Sequence, residues 1–238
     1  MLQQEHSRPS RPRIGGHVQH VGVLVPWANS VVEAELPRWA GTAVVWHYAR
    51  LVPPSLGTDL NEAFLAGLLS AAPTALGQLA ALRLRRVYLA CTSAAFMLPG
   101  LAEAAAAGTF VPIVTAFDAI LAVLQLQEAR QIVLLTPYPE EICETEANTF
   151  RNCGITVTGY ATLNMTDGYA AIKPGEVRDL AKRVSPRAVE EAQAIVLSCT
   201  GWPTFSLCKA LARELGKEVL SSNRAIAAHA RQADGRNC

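Results

Sequence analysis

The sequence predicts an α/β protein built as two pseudo-symmetric halves, each a doubly wound parallel sheet, with the active site in the cleft between them. Three features carry that reading. Short apolar runs stop at a polar or turn-forming residue, helix-period segments separate them, and one strand-end motif occurs in both halves of the chain.

The apolar runs are residues 21–25 before Pro26, 87–90 before Cys91, 132–135 before Thr136 and Pro137, and 194–197 before Ser198 and Cys199. Continuous Val- and Ile-rich runs of this length suit strands covered on both faces, as in a parallel sheet. Between the first two, residues 60–82 place Phe64, Leu65, Leu68, Leu69, Leu76 and Leu79 near helical spacing. Residues 140–150, 176–184 and 203–215 read as further helices. Strand alternating with helix is the pattern of a doubly wound fold.

The repeat sharpens this. Pro26 to Cys91 spans 65 residues and Pro137 to Cys199 spans 62, and the second strand of each half ends in Cys-Thr before a small residue, Ser93 or Gly201. The expected halves are 21–115 and 116–225, with tails at 1–20 and 226–238. The polar, basic, proline-rich run from Ser7 to Arg13 reads as a disordered tail and lacks the apolar centre of a secretory signal, so a cytoplasmic location is expected.

The 238 residues are 50% hydrophobic and 17% charged, which excludes wholesale disorder. A net charge of +1 speaks against nucleic-acid binding. The apolar stretch 113–126 is interrupted by Asp118 and Gln125, so no membrane span is expected. The six cysteines, at 91, 143, 153, 199, 208 and 238, show no C-x-x-C spacing, and His17 and His20 sit in or beside the tail. Neither a zinc site nor a disulfide framework is expected. Gly15-Gly16 lacks the framing elements of a phosphate loop, and no cofactor is expected.

Ligands of such sheets bind beyond the carboxyl ends of the strands, where all four strand-end motifs gather. Cys91 and Cys199 each follow a buried strand and precede an expected helix, where backbone N–H groups hold anions and favour a thiolate. Two similar halves would set one thiol on each side of a cleft, one attacking or deprotonating while the other handles a proton. A lone cysteine is more often a small core residue; two Cys-Thr pairs at matched strand ends favour function. Thr92, Ser93, Thr200 and Gly201 can donate hydrogen bonds to a carboxylate. Asn29 could hold a carboxylate or cap a helix, and Tyr138, between two prolines, is expected to be exposed at the sheet's edge. Glu33 and Glu35 read as helix-start acids. Trp27 and Trp202 flank the half-sites, and Cys143, Cys153, Cys208 and Cys238 have no partner motif.

Val25-Pro26-Trp27-Ala28-Asn29 followed by Glu33-Ala34-Glu35-Leu36-Pro37 resembles the opening of maleate cis-trans isomerases, V-P-x-x-N then E-x-E-x-P. Cys91 and Cys199 fall where that family has paired cysteines, and Tyr138 falls on its substrate-binding tyrosine. The resemblance covers nearly the whole chain after the tail and places it in the aspartate/glutamate racemase superfamily, with hydantoin racemases and arylmalonate decarboxylases. It implies a cofactor-independent isomerase of a small dicarboxylate, maleate to fumarate, in which Cys91 adds to the alkene and Cys199 delivers a proton. Asn29, Tyr138, Thr92, Ser93, Thr200 and Gly201 would hold a small carboxylate substrate, with a homo-oligomer, dimer or tetramer, as an open expectation.

Two departures matter. Where those isomerases carry an asparagine, in a pattern like L-G-I-x-D-N, this chain has Gly168, with Asn164 nearby but out of register. Thr92-Ser93 also matches the last two residues of the decarboxylases' carboxylate cradle, but those enzymes keep only the second cysteine, so two thiols lean away from decarboxylation. The alternatives are a two-cysteine amino-acid or hydantoin racemase, an arylmalonate decarboxylase-like enzyme, and a carboxylate-binding protein without turnover.

Overall fold

A computed structural model describes residues 18–98, 100, 104 and 111–232; the readings placed on 1–17 and on 233–238, Cys238 included, lie outside the described residues. The first sheet holds β1 (Gln19–Pro26), β2 (Val44–Leu51), β3 (Val87–Leu89) and β4 (Ile113–Thr115) in the order β2-β1-β3-β4. The second holds β5 (Gln131–Thr136), β6 (Thr156–Thr162), β7 (Ala194–Leu197) and β8 (Glu218–Ser221) in the order β6-β5-β7-β8. Every pairing is parallel, and the registers correspond: Leu24 opposes Leu89 as Leu135 opposes Leu197, and Leu89 opposes Thr115 as Leu197 opposes Ser221. The two sheets are thus the same unit written twice, an α/β fold of two pseudo-symmetric halves.

The four apolar runs are the four central strands, β1, β3, β5 and β7. The four edge strands were not anticipated, for a physical reason. A strand with one free side carries polar and amphipathic residues, as in the Trp46-His47-Tyr48 stretch of β2, or is as short as β4.

The helices are α1 (Val31–Ala40), α2 (Glu62–Ser70), α3 (Ala72–Leu79), α4 (Thr92–Met97), α5 (Ala116–Leu126), α6 (Glu140–Asn152), α7 (Pro174–Ala181), α8 (Pro186–Glu191), α9 (Phe205–Leu215) and α10 (Ser222–Gln232). The single helix read over 60–82 is two, because Pro73 at the start of α3 cannot continue the hydrogen-bond ladder of α2. The helix read over 176–184 begins two residues earlier, at Pro174, whose fixed φ suits a first turn. The segment read as a C-terminal tail from 226 continues α10 through Gln232, with Ile226, Ala227 and Ala230 buried, and α10 packs on α1, α5 and β1. The end of the chain therefore helps build the core of its beginning. No helix among the described residues is long and apolar enough to cross a membrane.

One buried acid fastens the halves together. Glu35 on α1 is 3% exposed and accepts four hydrogen bonds from the second half. They come from Thr204 N at 2.5 Å, Phe205 N at 2.6 Å, Thr204 Oγ1 at 2.9 Å and Asn223 Nδ2 at 3.1 Å. Two of these donors are backbone N–H groups opening α9, which would otherwise lack partners. The expectation of a helix-start acid in its own helix holds for Glu33, which lies in the first turn of α1 and also pairs with Arg50 on β2. It is corrected for Glu35, which caps a helix of the other half. Replacing Glu35 by Ala leaves several buried donors unmatched, so it should lower unfolding free energy by about 2–4 kcal/mol in a urea titration; an unchanged midpoint would contradict this role.

Candidate active site

The carboxyl ends of the central strands meet around one cavity of about 410 Å³. All eight residues proposed from sequence line it: Asn29, Cys91, Thr92, Ser93, Tyr138, Cys199, Thr200 and Gly201. Pro26, Ala28, Thr58, Leu60, Phe64 and the segment Asp167–Ala171 complete the wall. Among the described residues that line it, none is lysine, arginine or histidine.

Each side chain is placed by its own backbone. Cys91 caps the start of α4 in an extended conformation, with its Sγ 3.6 Å from Ser93 Oγ. Cys199 has φ of 140°, a conformation that side-chain-bearing residues avoid. It is held there by its N–H donating to Ser222 Oγ at 3.0 Å and by Gly201 N donating to its Sγ at 3.2 Å. No helix follows Cys199 directly, contrary to the expectation; an irregular loop runs to Thr204 before α9 begins. The N–H group offered to the sulfur therefore comes from that loop.

The polar residues tie the two strand ends together. Asn29 Oδ1 accepts from Val31 N and Val32 N, opening α1, while its Nδ2 donates to Thr200 Oγ1 at 3.0 Å across the cleft. It is therefore a cap and a cleft residue at once. Thr200 Oγ1 in turn donates to Ala90 O at 2.8 Å, and Thr92 Oγ1 donates to Ser222 Oγ at 3.0 Å. Arg50 braces the Asn29 turn through the carbonyls of Trp27 and Asn29.

Tyr138 corrects a second expectation. It is 2% exposed rather than lying open at the sheet edge. Its carbonyl accepts from Thr162 Oγ1, and its ring sits between Phe96 (6.3 Å) and Tyr169 (5.9 Å). Its hydroxyl acts on Cys199, holding back the rise of that thiol. Trp27 and Trp202 do not line the cavity: Trp27 reaches Gly57 O, and Trp202 is fully buried.

Asn164 does not replace the missing asparagine. Its Oδ1 accepts from Glu140 N at 3.3 Å, and it is absent from the cavity wall. Gly168 lines the cavity in a left-handed conformation, φ 72°. Tyr169, Ser222 and Asp167, whose Oδ2 accepts from Thr58 Oγ1, were not anticipated. Ser222 follows the unpredicted edge strand β8, and Tyr169 opens a three-residue 3₁₀ turn, Tyr169–Ala171, without a motif.

Burial, not the helix end, governs both thiols. It pushes Cys91 up, with the Ser93 hydroxyl and the Ala94 N–H pulling back. It pushes Cys199 up to about 12, with the Gly201 N–H and the Tyr138 hydroxyl pulling back, and Cys91 and Glu146 adding to the rise. The expected low-pKa thiolate is therefore corrected: α4 is only six residues long, and desolvation outweighs its few N–H groups. Cys143 and Cys208 are buried away from the cavity, and Cys153 is exposed.

Two thiols facing one cavity from matched halves define a member of the aspartate/glutamate racemase-like superfamily. Residues 87–236 match the family model described as arylmalonate decarboxylase, and the chain belongs to that family. It is 26% identical over 229 residues to a maleate isomerase of Nocardia farcinica, covering 86% of each chain. A structure of Nocardia farcinica maleate cis-trans isomerase, a cysteine-to-serine variant with a covalently bound succinylcysteine intermediate, superimposes with a TM-score of 0.79 at 21% identity, over 91% of this chain and 93% of that one. An arylmalonate decarboxylase structure does so with 0.70 at 24% identity, over 92% and 94%.

The geometry fixes an order of thiol reactivity. Iodoacetamide at neutral pH should modify exposed Cys153 before Cys91 or Cys199, and Cys91 modification should accelerate as pH rises toward 9 and above, as its thiolate forms. Time-resolved peptide mapping reads this; rapid modification of Cys91 at pH 6 would contradict it.

Proposed function

We propose that this chain is a cofactor-independent cis–trans isomerase of a small dicarboxylate, converting maleate to fumarate. The observation that carries the reading is that Cys91 and Cys199, one from each half, open onto the same cavity among neutral hydrogen-bond donors. A decarboxylase that protonates one face needs a single thiol; addition followed by proton delivery needs two.

Cys91 thiolate adds to one alkene carbon, and the π electrons move to the neighbouring carbon and its carboxylate. The Cys199 S–H bond breaks, its proton goes to that carbon, and the electron pair stays on Sγ, where Gly201 N–H and the Tyr138 hydroxyl receive it. The adduct rotates about its new single bond. Cys199 then takes the proton back, the bond to Cys91 breaks with its electron pair staying on sulfur, and the trans acid leaves with Cys91 again a thiolate and Cys199 again a thiol. Asn29, Thr92, Ser93 and Thr200 would hold the carboxylates with amide, hydroxyl and backbone donors.

One observation favours a second reading. Leu60, Phe64 and Tyr169 give the cavity an apolar wall, and Gly168, which the resemblance sets against an isomerase asparagine, lines it without a side chain. These suit a bulkier substituent, as on an arylmalonate. A panel of maleate, aspartate, glutamate, hydantoins and phenylmalonate, assayed without added cofactor, separates isomerase, racemase and decarboxylase; absence of turnover with a thermal shift would mark a binding protein.

Cys91→Ser should abolish isomerisation, because a serine hydroxyl is scarcely ionised. Cys199→Ser should cost roughly 10²–10⁴ in rate, as for a lost general acid, and leave a dicarboxylate adduct on Cys91 visible by intact mass. Near-wild-type turnover by Cys91→Ser would sink the mechanism, and loss confined to Cys199 variants would point to decarboxylation. Gly168→Asn should increase maleate turnover. Asparagine tolerates the left-handed conformation, and the nearest atom to an added Cβ is Met165 Cε at 3.9 Å; a decrease would favour the bulkier substrate.

A further inference from the structure

Glu146 on α6 is fully buried, and the chemistry above gives it no task. Ser198 Oγ donates to its Oε1, while Oε2 has no hydrogen-bond partner. Ser198 immediately precedes Cys199, and a charge on Glu146 acts on both Cys199 and Tyr138.

Glu146 is the repeat-equivalent of Glu35, each lying nine residues after the proline at the end of its strand, Pro137 or Pro26. Their surroundings are opposite. Asn223, which donates to Glu35, corresponds by the strand-end register to Phe117. Phe117 packs on Phe96 at 6.1 Å and on Phe150, one turn along α6 from Glu146, at 4.7 Å. The groups that bond Glu146 or feel its charge are Ser198 and Cys199 from the end of β7, Tyr138 from the end of β5, and Cys143 from its own helix. None is basic. Burial accordingly raises the acid to about 8, with the Ser198 hydrogen bond pulling back.

We propose that Glu146 is held as an uncharged carboxylic acid behind Cys199, and that this neutrality is what lets the Cys199 thiol release its proton. The inference rests on the reading of Cys199 as proton donor. When that S–H bond breaks, the proton goes to the substrate carbon and the pair remains on Sγ; a carboxylate at 146 would repel that thiolate. Glu146 keeps its own proton throughout, so it is a positioning residue. In turnover it supplies a falling limb at alkaline pH, opposed to the rising limb that Cys91 ionisation supplies.

The test uses the full chain and Glu146→Gln, which fixes the neutral form. Between 4.5 and about 8 the folded state holds a proton on Glu146 that the unfolded chain has released. Stability of the wild type should therefore fall as pH rises through that window, and Glu146→Gln should show a flatter dependence in urea unfolding. Alkylation of Cys199, followed by mapping, should run at similar rates in both proteins at pH 6.5 and about tenfold faster in Glu146→Gln at pH 9, a plausible size for one nearby buried charge. With whichever panel substrate turns over, the ratio of rate at pH 9 to rate at pH 7 should be higher in Glu146→Gln. Parallel stability curves, or an alkylation ratio unchanged between the two pH values, overturn the proposal. If no substrate turns over, the isomerase reading fails while the unfolding and alkylation results still decide the state of Glu146 and its hold on Cys199. Should Glu146→Gln not fold, Ser198→Ala removes the one hydrogen bond favouring the carboxylate and should extend the fall in stability to higher pH at its upper end; an unchanged upper end overturns the proposal equally.

Discussion

The constraint on which the rest depends is that the polar groups at the strand ends of one half are satisfied by the other half. Glu35 accepts from the start of α9 and from α10, Asn29 reaches Thr200, Thr200 reaches Ala90, and Thr92 reaches Ser222. A buried donor or acceptor left alone costs far more than its hydrogen bond contributes when made. Neither half can therefore separate without exposing or orphaning several such groups. The cavity is consequently set by the same bonds that hold the halves in register, so cavity shape and fold stability are difficult to change independently.

What was legible in the sequence follows from burial. The central strands announce themselves as apolar runs because both faces are covered, and the strand-end residues could be located because those runs stop abruptly at Pro26, Cys91, Pro137 and Cys199. The edge strands and α10 were not legible as such. His47 or Arg50 in β2 looks like surface sequence, and the polar appearance of α10 conceals the stripe of Ile226, Ala227 and Ala230 that docks on the first half. The buried state of Tyr138 was hidden too, since flanking prolines suggest a loop. What buries it is tertiary: Phe96, Tyr169 and the Thr162 clasp. The signal that could have found Glu146 was present, in its spacing from Pro137, but spacing does not disclose which neighbours answer a side chain.

The two halves share a backbone plan and differ in what they do with it. Trp27 and Tyr138 are equivalent by register, yet Trp27 turns out to the carbonyl of Gly57 while Tyr138 turns in to Cys199. Ser93 and Gly201 are equivalent as well: the first offers Cys91 a hydroxyl, the second offers Cys199 a backbone N–H. A thiol facing a rotatable hydroxyl and a thiol clamped between a fixed N–H and a phenol are chemically distinct, although burial raises both. The clamped one has donors aimed at its sulfur, which suits a group that carries negative charge only briefly, after giving a proton away.

The same asymmetry extends one layer out from the thiols. Glu35 has both oxygens answered by Thr204, Phe205 and Asn223, and those hydrogen bonds join the halves. Glu146, fully buried, has one answering hydroxyl and one oxygen without a partner. Two acids at equivalent spacing thus stand behind two register-equivalent thiols, and their different neighbours give one acid to architecture and leave the other able to govern charge beside Cys199.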